Sequence, residues 1–397
     1  MSTNNIIPLS AAARFLATQL SSVIARPQVV LPPHLLKPFL TAESKITYIN
    51  KISPNNTFTR SHSFPCSSIK FLERASRPIG GNSDSNLNGE STPNPFSLIL
   101  PASQLTLLLD PNSQDSALLP PPNSIIVIVN PYYGQIEKFM SRFTNNYLSN
   151  ERPKIWTAVC THNLTNGPSW SVEHRSIGEV KLAHVPFEDS NPAVDMNKMI
   201  DESNVIKDIL NTPPLLPQIE TYDQINQLLI DQLITEAALT PLLHHSFKDI
   251  DICSDENFKD LSYKIIEEAV EAINQDKLFI KFCSKNAAFK SILSTKRLFH
   301  KTRNVLKNND NIIRMFANLD ADEDILKMRE RNKHEYERMI DGDRDVKISR
   351  IRDPVKANRY IKKLGSKNGL RTPANSHVVT LLTSDYYTTE NNSPIHN

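Results

Sequence analysis

No glycine precedes Gly80, although residues 5–17 have the pattern of a strand, a tight turn and a helix. Such a turn binds a dinucleotide pyrophosphate when glycines in a GxGxxG pattern let the backbone approach the phosphates and the helix pack on the strand. Here Pro8, Ser10 and Ala13 occupy the three glycine positions. Alanine is compatible with the third position, but Pro8 lacks an N–H group and Ser10 adds a Cβ. We therefore predict the strand–helix scaffold without phosphate binding, and no cofactor.

Length, cysteine spacing and hydropathy exclude several classes of protein. A chain of 397 residues is long enough for two domains whose cores need no disulfides. The four cysteines form no CxxC pair and the eleven histidines form no HxxxH or HExxH motif, so we predict no metal site. The longest clean apolar run, Ile125–Val129, is far shorter than the roughly 20 residues that span a bilayer.

The N-terminal composition suggests a compartment. Residues 1–42 contain Arg14, Arg26 and Lys37, many small or apolar residues, and no acid before Glu43. This composition is typical of a mitochondrial targeting segment. An apolar strand–helix opening that merely lacks acids would look the same, and an uncleaved N-terminus can serve both purposes. We expect a protein of the mitochondrial matrix, with the inner-membrane surface as an alternative location.

The pattern of elements changes along the chain. Residues 1–195 alternate strand and helix patterns, which predicts an α/β Rossmann-like domain. Two polar stretches within it, near 76–96 and 110–122, are expected to be loops or disordered inserts. Residues 196–222 are interpreted as a linker helix and a Pro-rich connection.

The second half has helical periodicity almost throughout. Residues 223–383 predict an all-α C-terminal domain, and residues 384–397 a disordered tail. From Lys285 to Arg371 the formal charge is +11, so the rest of the chain carries −9. The basic end is therefore a distinct face or domain.

Several stretches together resemble the ketopantoate reductases. These are Ile125–Asn130, Thr161-His162, Val172–Val180, and Asn358–Asn375 with its Gly-x-x-Thr-Pro-x-Asn turn. The resemblance implies a Rossmann-like N-domain, a helical C-domain of the 6-phosphogluconate dehydrogenase C-terminal type, and NADPH-dependent reduction of a keto acid. It extends over most of the chain apart from the two inserts and the tail.

The catalytic positions that the resemblance implies are largely replaced. The family's catalytic lysine falls at Gln227 or Leu228, and no Lys or Arg lies between Lys207 and Lys248. Ketone reduction needs a cation or acid to polarise the carbonyl and protonate the alkoxide, which neither Gln nor Leu provides. The family's substrate-binding asparagines in this helix are replaced by acids or Thr. We therefore predict a pseudoenzyme with no catalytic residues.

Other implied positions are also altered. The substrate-holding serines correspond to Glu337–Ile340, and the family's late glutamate has only the shorter Asp353. Pro32-Pro33-His34 stands where an arginine would meet a 2′-phosphate. Asn130 is retained, but a structural turn explains an Asn at the end of a strand equally well.

The helix from Gln227 to Leu243 fits one degenerate branch of the family better than it fits the reductases. That helix has acidic Asp231 and Glu236 and a late Pro241-Leu242-Leu243. It resembles the yeast mitochondrial activators of cytochrome b mRNA translation. This resemblance implies two partners, a mitochondrial mRNA leader and the mitochondrial ribosome.

A basic strip supplies candidate contacts to RNA or the ribosome. Between Lys281 and Arg314 there are nine cations and one acid, Asp310, with phenylalanines interleaved. The candidate contacts are Lys290, Lys296, Arg297, Lys301, Arg303 and Lys307. A solvated amphipathic helix with its phenylalanines in the core is an equally good interpretation of the charge pattern. An NADPH-dependent reductase and an assembly factor for respiratory complexes remain alternative functions.

Overall fold

The structure is a computed structural model that describes most of the chain. The described residues are 4–21, 27–31, 33–53, 57–68, 96–102, 105, 120–149, 151–167, 169–187, 196–201, 203–245, 256–285, 288–308 and 355–391. The chain divides into two compact units, Met1–Ile225 and Asn226–Asn397. We call them the first unit and the second unit.

The first unit contains twelve strands among its described residues. They are β1 (Asn4–Ile6), β2 (Gln28–Leu31), β3 (Lys45–Asn50), β4 (Phe58–Ser63), β5 (Cys66–Ser68), β6 (Ser97–Pro101), β7 (Ile125–Val129), β8 (Lys154–Cys160), β9 (Asn163–Asn166), β10 (Ser171–Ser176), β11 (Val180–His184) and β12 (Pro217–Ile219). Its helices are α1 (Ala11–Leu20), α2 (Pro33–Thr41), α3 (Gln135–Asn146), α4 (Met196–Asp201) and α5 (Asn204–Leu210).

The larger sheet has the strand order β12-β11-β8-β7-β6-β1-β2-β5. β1 is parallel to both β2 and β6, and β7 is parallel to β6 and β8, whereas β11 is antiparallel to β8. Parallel neighbours need crossover connections, and α1 lies in the connection from β1 to β2. This arrangement confirms the predicted Rossmann-like α/β fold.

The core explains the apolar strands. All five residues of β7 are buried, as expected for a strand inside a parallel sheet covered on both faces. Its Ile126 and Ile128 pack in one cluster with Ile7, Leu98 and Phe139. A second sheet, in the order β4-β3-β10-β9, places β3 parallel to β10.

The second unit is helical, which confirms the predicted C-terminal part. It is formed by α6 (Tyr222–His245), whose first turn belongs to the first unit, and by α7 (Glu256–Asn274), α8 (Lys277–Lys285), α9 (Ala288–Ile292), α10 (Thr295–Asn308), α11 (Lys356–Lys367) and α12 (Pro373–Asn391). α7 buries Ile265, Ile266, Ala269 and Ile273, and α10, α11 and α12 pack against it. In the ranges described above, none of the helices has the length and hydropathy of a membrane span.

The described residues of the predicted connection, 196–222, lie largely in helices, a turn and a strand. They form α4, α5, a short 3-10 turn at Pro213–Leu215, and β12, which pairs in parallel with β11 at the edge of the larger sheet. They therefore belong to the first unit. The pattern did not reveal β12 because it has only three residues and begins with a proline.

Two other expectations fall partly outside the described residues. The insert predicted near 76–96 is described only at Phe96, and that near 110–122 only at 120–122. The predicted tail from residue 384 begins inside α12, which continues to Asn391. Residues 392–397 lie outside the described part.

Candidate functional site

The β1–α1 turn is closed by its own residues. The Ser10 Oγ accepts the Ala13 N–H at 3.2 Å and caps α1, and the Ser10 carbonyl accepts the Arg14 N–H at 2.9 Å. The Arg14 guanidinium donates to the carbonyls of Pro8 and Ser171, both at 3.1 Å. A pyrophosphate needs open N–H groups here, but Pro8 has none and that of Ala13 is occupied. The residues at this turn do not fit a dinucleotide.

Asn130 connects two neighbouring strands through hydrogen bonds. It directly follows β7 and lies in the left-handed region with φ of 49°, a conformation that Asn tolerates better than most residues. Its side-chain Oδ1 accepts the Cys160 N–H at 2.7 Å, and its own N–H donates to the Ala158 carbonyl at 2.9 Å. Asn130 therefore joins the ends of β7 and β8, in agreement with the turn interpretation.

The lysine position on α6 contains no cation. Gln227 and Leu228 are half-buried there. One helical turn later lies Asp231, a buried carboxylate whose side chain is only 4% exposed. The sequence marked Asp231 as an acid that replaces a substrate-binding residue, but it did not reveal a partner. Asp353 and Glu337–Ile340 lie outside the described residues.

Two of the candidate RNA contacts neutralise Asp231. The Arg297 Nη2 donates to its Oδ1 at 2.8 Å, and the Lys301 Nζ donates to its Oδ2. The Arg297 Nε also donates to the Ile292 carbonyl at 2.7 Å. A buried carboxylate requires such partners because desolvation disfavours an isolated charge. Arg297 and Lys301, four residues apart on α10, therefore attach that helix to α6.

The other candidate contacts lie in different environments. Lys290 and Lys296 are exposed. The Arg303 guanidinium lies 5.9 Å from the centre of the Phe299 ring, which itself packs edge-on against Tyr263. Lys307 is within α10, but its side chain is not among those that the structure describes. The predicted strip is therefore not one uniform cationic surface.

The interleaved phenylalanines are mainly core residues. Phe282 and Phe289 are buried, with ring centres 5.9 Å apart, and Phe279 packs against Phe289 at 6.3 Å. Buried rings are not available to stack on bases. Only Phe299, half-buried, belongs to both the basic strip and the surface.

The first unit contains a buried histidine network that residue patterns did not reveal. The Tyr48 hydroxyl donates to the His174 Nδ1 at 2.8 Å, and the His174 Nε2 lies 2.9 Å from the Ser176 carbonyl and 3.1 Å from the His162 Nδ1. The Gly178 N–H donates to the same His162 Nδ1 at 3.1 Å, which leaves the His162 Nε2 to donate to the Leu215 carbonyl at 3.3 Å. These contacts assign both imidazoles as neutral Nε2–H tautomers.

The network explains part of the family resemblance. His162 and His174 come from two of the stretches that carry it, and the Phe15 ring packs 4.9 Å from both imidazoles. Burial lowers the pKa of His174 to about 4 and also lowers the pKa of His162. Both imidazoles are therefore neutral, buried and hydrogen-bonded within the first unit.

The buried histidines predict acid sensitivity. Burial also lowers the pKa of His184 to about 4. An unfolded chain binds protons at its histidines below about pH 6.5, whereas the lowered pKa values of His162, His174 and His184 oppose protonation of these three in the folded first unit. Stability should therefore be complete above about pH 6.5 and decrease progressively as the pH falls towards 4.

Urea unfolding between pH 7.5 and 5, followed by tryptophan fluorescence, measures this dependence. The His184→Gln variant should show a shallower pH dependence than the wild type, because one of the neutral histidines is removed. An identical slope in both proteins would contradict the assignment for His184.

Over the described residues, no group of three or more His, Cys, Asp or Glu side chains is placed to hold a metal ion.

Comparison with known proteins identifies the fold. No protein-family model matches the sequence, and no curated protein sequence matches it. A probable 2-dehydropantoate 2-reductase from Bacillus subtilis is similar in structure, with a TM-score of 0.56, 14% identity, and coverage of 96% of this chain and 99% of that one. A D-mandelate dehydrogenase in complex with NADH and anilino(oxo)acetate has a TM-score of 0.56 and 12% identity, with coverage of 96% and 97%.

A third solved structure extends the likeness. A ketopantoate reductase of the PanE/ApbA family from Ralstonia eutropha has a TM-score of 0.52 and 12% identity, with coverage of 96% of this chain and 97% of its own. All three likenesses span nearly the whole of this chain. The chain therefore has the fold of the ketopantoate reductases.

Proposed function

We propose that this protein is a non-catalytic adaptor that brings a mitochondrial mRNA, that of cytochrome b, to the mitochondrial ribosome. The observation that carries the non-catalytic part of this proposal is the cluster of Asp231 on α6 with Arg297 and Lys301. Where a reductase of this fold would need a cation, the helix has Gln227 and Leu228, followed one turn later by a buried carboxylate.

The chemistry of α6 opposes ketone reduction. A developing alkoxide needs a proton donor or a positive charge close by. Gln227 carries no charge, and the positive charges of Arg297 and Lys301 are already shared with Asp231. The β1–α1 turn, closed by Ser10 and Arg14, supports the same interpretation because Pro8 has no N–H group and that of Ala13 is occupied by Ser10.

The charge distribution supports RNA as the partner. Lys290 and Lys296 are exposed on the surface of the second unit. Positive surface attracts the phosphate backbone irrespective of base sequence. The mitochondrial location and the cytochrome b message rest on the N-terminal composition and on the resemblance of the helix Gln227–Leu243.

An NADPH-dependent reductase is the second candidate function, and the fold of this chain favours that function. The similar mandelate dehydrogenase was solved with NADH. Titration of the purified protein with NADPH distinguishes the two candidates by nucleotide fluorescence. We expect no saturable change up to about 100 times a typical micromolar dissociation constant. Saturable binding together with turnover of a 2-keto acid would favour the reductase.

The adaptor role is tested in cells that lack the protein. Labelling of mitochondrial translation products should show selective loss of cytochrome b synthesis, with the other products unchanged. Normal synthesis of every product, combined with failed assembly of a respiratory complex, would instead favour an assembly factor. Re-expression of the wild-type chain should restore cytochrome b and serves as the control.

A further inference from the structure

A second cationic surface in the described part of the second unit lies outside the basic strip. From residue 354 to residue 384 the sequence contains six cations and no acid. All six are exposed on α11 or the turn that follows it: Lys356, Arg359, Lys362, Lys363, Lys367 and Arg371. We call these six residues the α11 face.

We propose that the α11 face binds the phosphate backbone of single-stranded RNA. The choice of RNA as the polyanion rests on the proposed function, but the location of the surface does not. Lysine and arginine side chains along one helix form a positive track that neutralises successive phosphates and releases counterions.

Fold stability does not account for this charge arrangement. Like charges four residues apart, as in Arg359–Lys363 and Lys363–Lys367, destabilise a helix by about 0.2–0.5 kcal/mol per pair. The helix dipole favours cations in the last turn, as at Lys367, but disfavours them in the first turn, where Lys356 and Arg359 lie. An anionic partner would relieve this repulsion.

The adjacent helix α7, which packs against α11, does not share this property. The exposed side of α7 mixes Asp260, Lys264, Glu267 and Glu271, which is the usual pattern of a solvated helix. On the α11 face, Lys367 pairs with Asp276 at 3.3 Å and is still 60% exposed. Lys362, Lys363 and Arg371 form no ion pair with any residue that the structure describes. These three cations are therefore the best candidates for phosphate contacts.

The buried side of α11 favours RNA over a membrane surface. An interfacial helix must insert an apolar face into the lipid. The apolar residues of α11, Ala357, Ile361 and Leu364, are buried within the second unit. Only its cationic side is available, and this suits a hydrated phosphate backbone.

Two triple variants of the full chain test the inference. The first, Lys362→Gln, Lys363→Gln and Arg371→Gln, neutralises the α11 face. The second, Lys285→Gln, Lys290→Gln and Lys296→Gln, removes the same charge from exposed positions on α8, α9 and α10. Fluorescence anisotropy with a labelled mixed-sequence RNA oligonucleotide gives the affinity between 50 and 200 mM salt, and circular dichroism confirms that both variants are folded.

The α11 variant should bind RNA at least about tenfold more weakly at 50 mM salt, with a logarithmic salt slope shallower by about 2. The α8–α10 variant should lose less. Equal losses in both variants, or a larger loss in the second, would overturn the α11 assignment while leaving RNA binding in place. If the wild type binds no RNA, the proposed function and this inference both fail. Vesicles containing phosphatidylserine provide the last comparison: loss of vesicle binding with unchanged RNA binding in the α11 variant would identify a lipid surface instead.

Discussion

Replacing Gly178 with alanine is expected to destabilise the first unit by about 3 kcal/mol. A Cβ on Gly178 would lie 2.4 Å from the backbone N of His162 and 2.4 Å from the carbonyl carbon of Thr161. Both are backbone atoms held by β8 and the histidine network, so the strands themselves must move. That movement would also break the bond from the Gly178 N–H to the His162 Nδ1.

The two tryptophans make this effect measurable in one unit. The chain has two tryptophans, Trp156 and Trp170, and both belong to the first unit. Urea unfolding followed by their fluorescence should give a much lower midpoint for Gly178→Ala. The neighbouring Ile177 is 63% exposed, so Ile177→Ala should change stability by no more than about 0.5 kcal/mol. Equal midpoints for the two variants would show that the contact at Gly178 is not tight.

Removing the Glu268 carboxylate is expected to destabilise the second unit by roughly 3 kcal/mol. Its Oε1 accepts the Ala374 N–H at 2.6 Å, and its Oε2 accepts the Asn375 N–H at 3.0 Å and the Asn375 Nδ2 at 2.8 Å. Glu268 on α7 therefore caps the first turn of α12, and an acid at that end also interacts favourably with the helix dipole. Glu268→Ala leaves these donors without a partner.

The same contacts extend to two further helices. The Asn375 Oδ1 accepts the Asn358 Nδ2 at 3.0 Å, and the Asn358 Nδ2 also donates to the Ala237 carbonyl at 3.0 Å. Loss of the cap should therefore lower the temperature at which the helices melt, as measured by circular dichroism. The adjacent exposed residue provides a matched control, since Glu267→Ala has the same change in helix propensity without the cap. Similar melting of the two variants would exclude the capping role.

The Glu268 contacts also give a structural reason for the Gly-x-x-Thr-Pro-x-Asn turn. Gly365 packs closely enough that a Cβ would lie 2.7 Å from the Thr372 methyl group. Thr372 precedes the α12 helix, and Asn375 connects α7, α11 and α12. This turn, which belongs to the stretch Asn358–Asn375 that carries part of the resemblance, therefore positions helices, and its presence is compatible with a protein that has no reductase activity.

Local pattern was sufficient for the elements of this fold. Continuous apolar runs such as Ile125–Val129 indicated buried strands, and helical periodicity indicated the second unit. The missing glycines at Pro8 and Ser10 were also visible in the sequence, because backbone conformation depends directly on residue type. The excess of positive charge near the C-terminus required only counting.

Only the tertiary structure decided which side chains meet. Asp231 pairs with Arg297 and Lys301, 66 and 70 residues further along the chain, and Tyr48 meets His174, 126 residues further on. Pairings at such separations have no period in the sequence, since they depend on how strands and helices pack. For this reason the cations of the basic strip have different roles in the fold. Arg297 and Lys301 pair with the buried Asp231, whereas Lys290 and Lys296 are exposed.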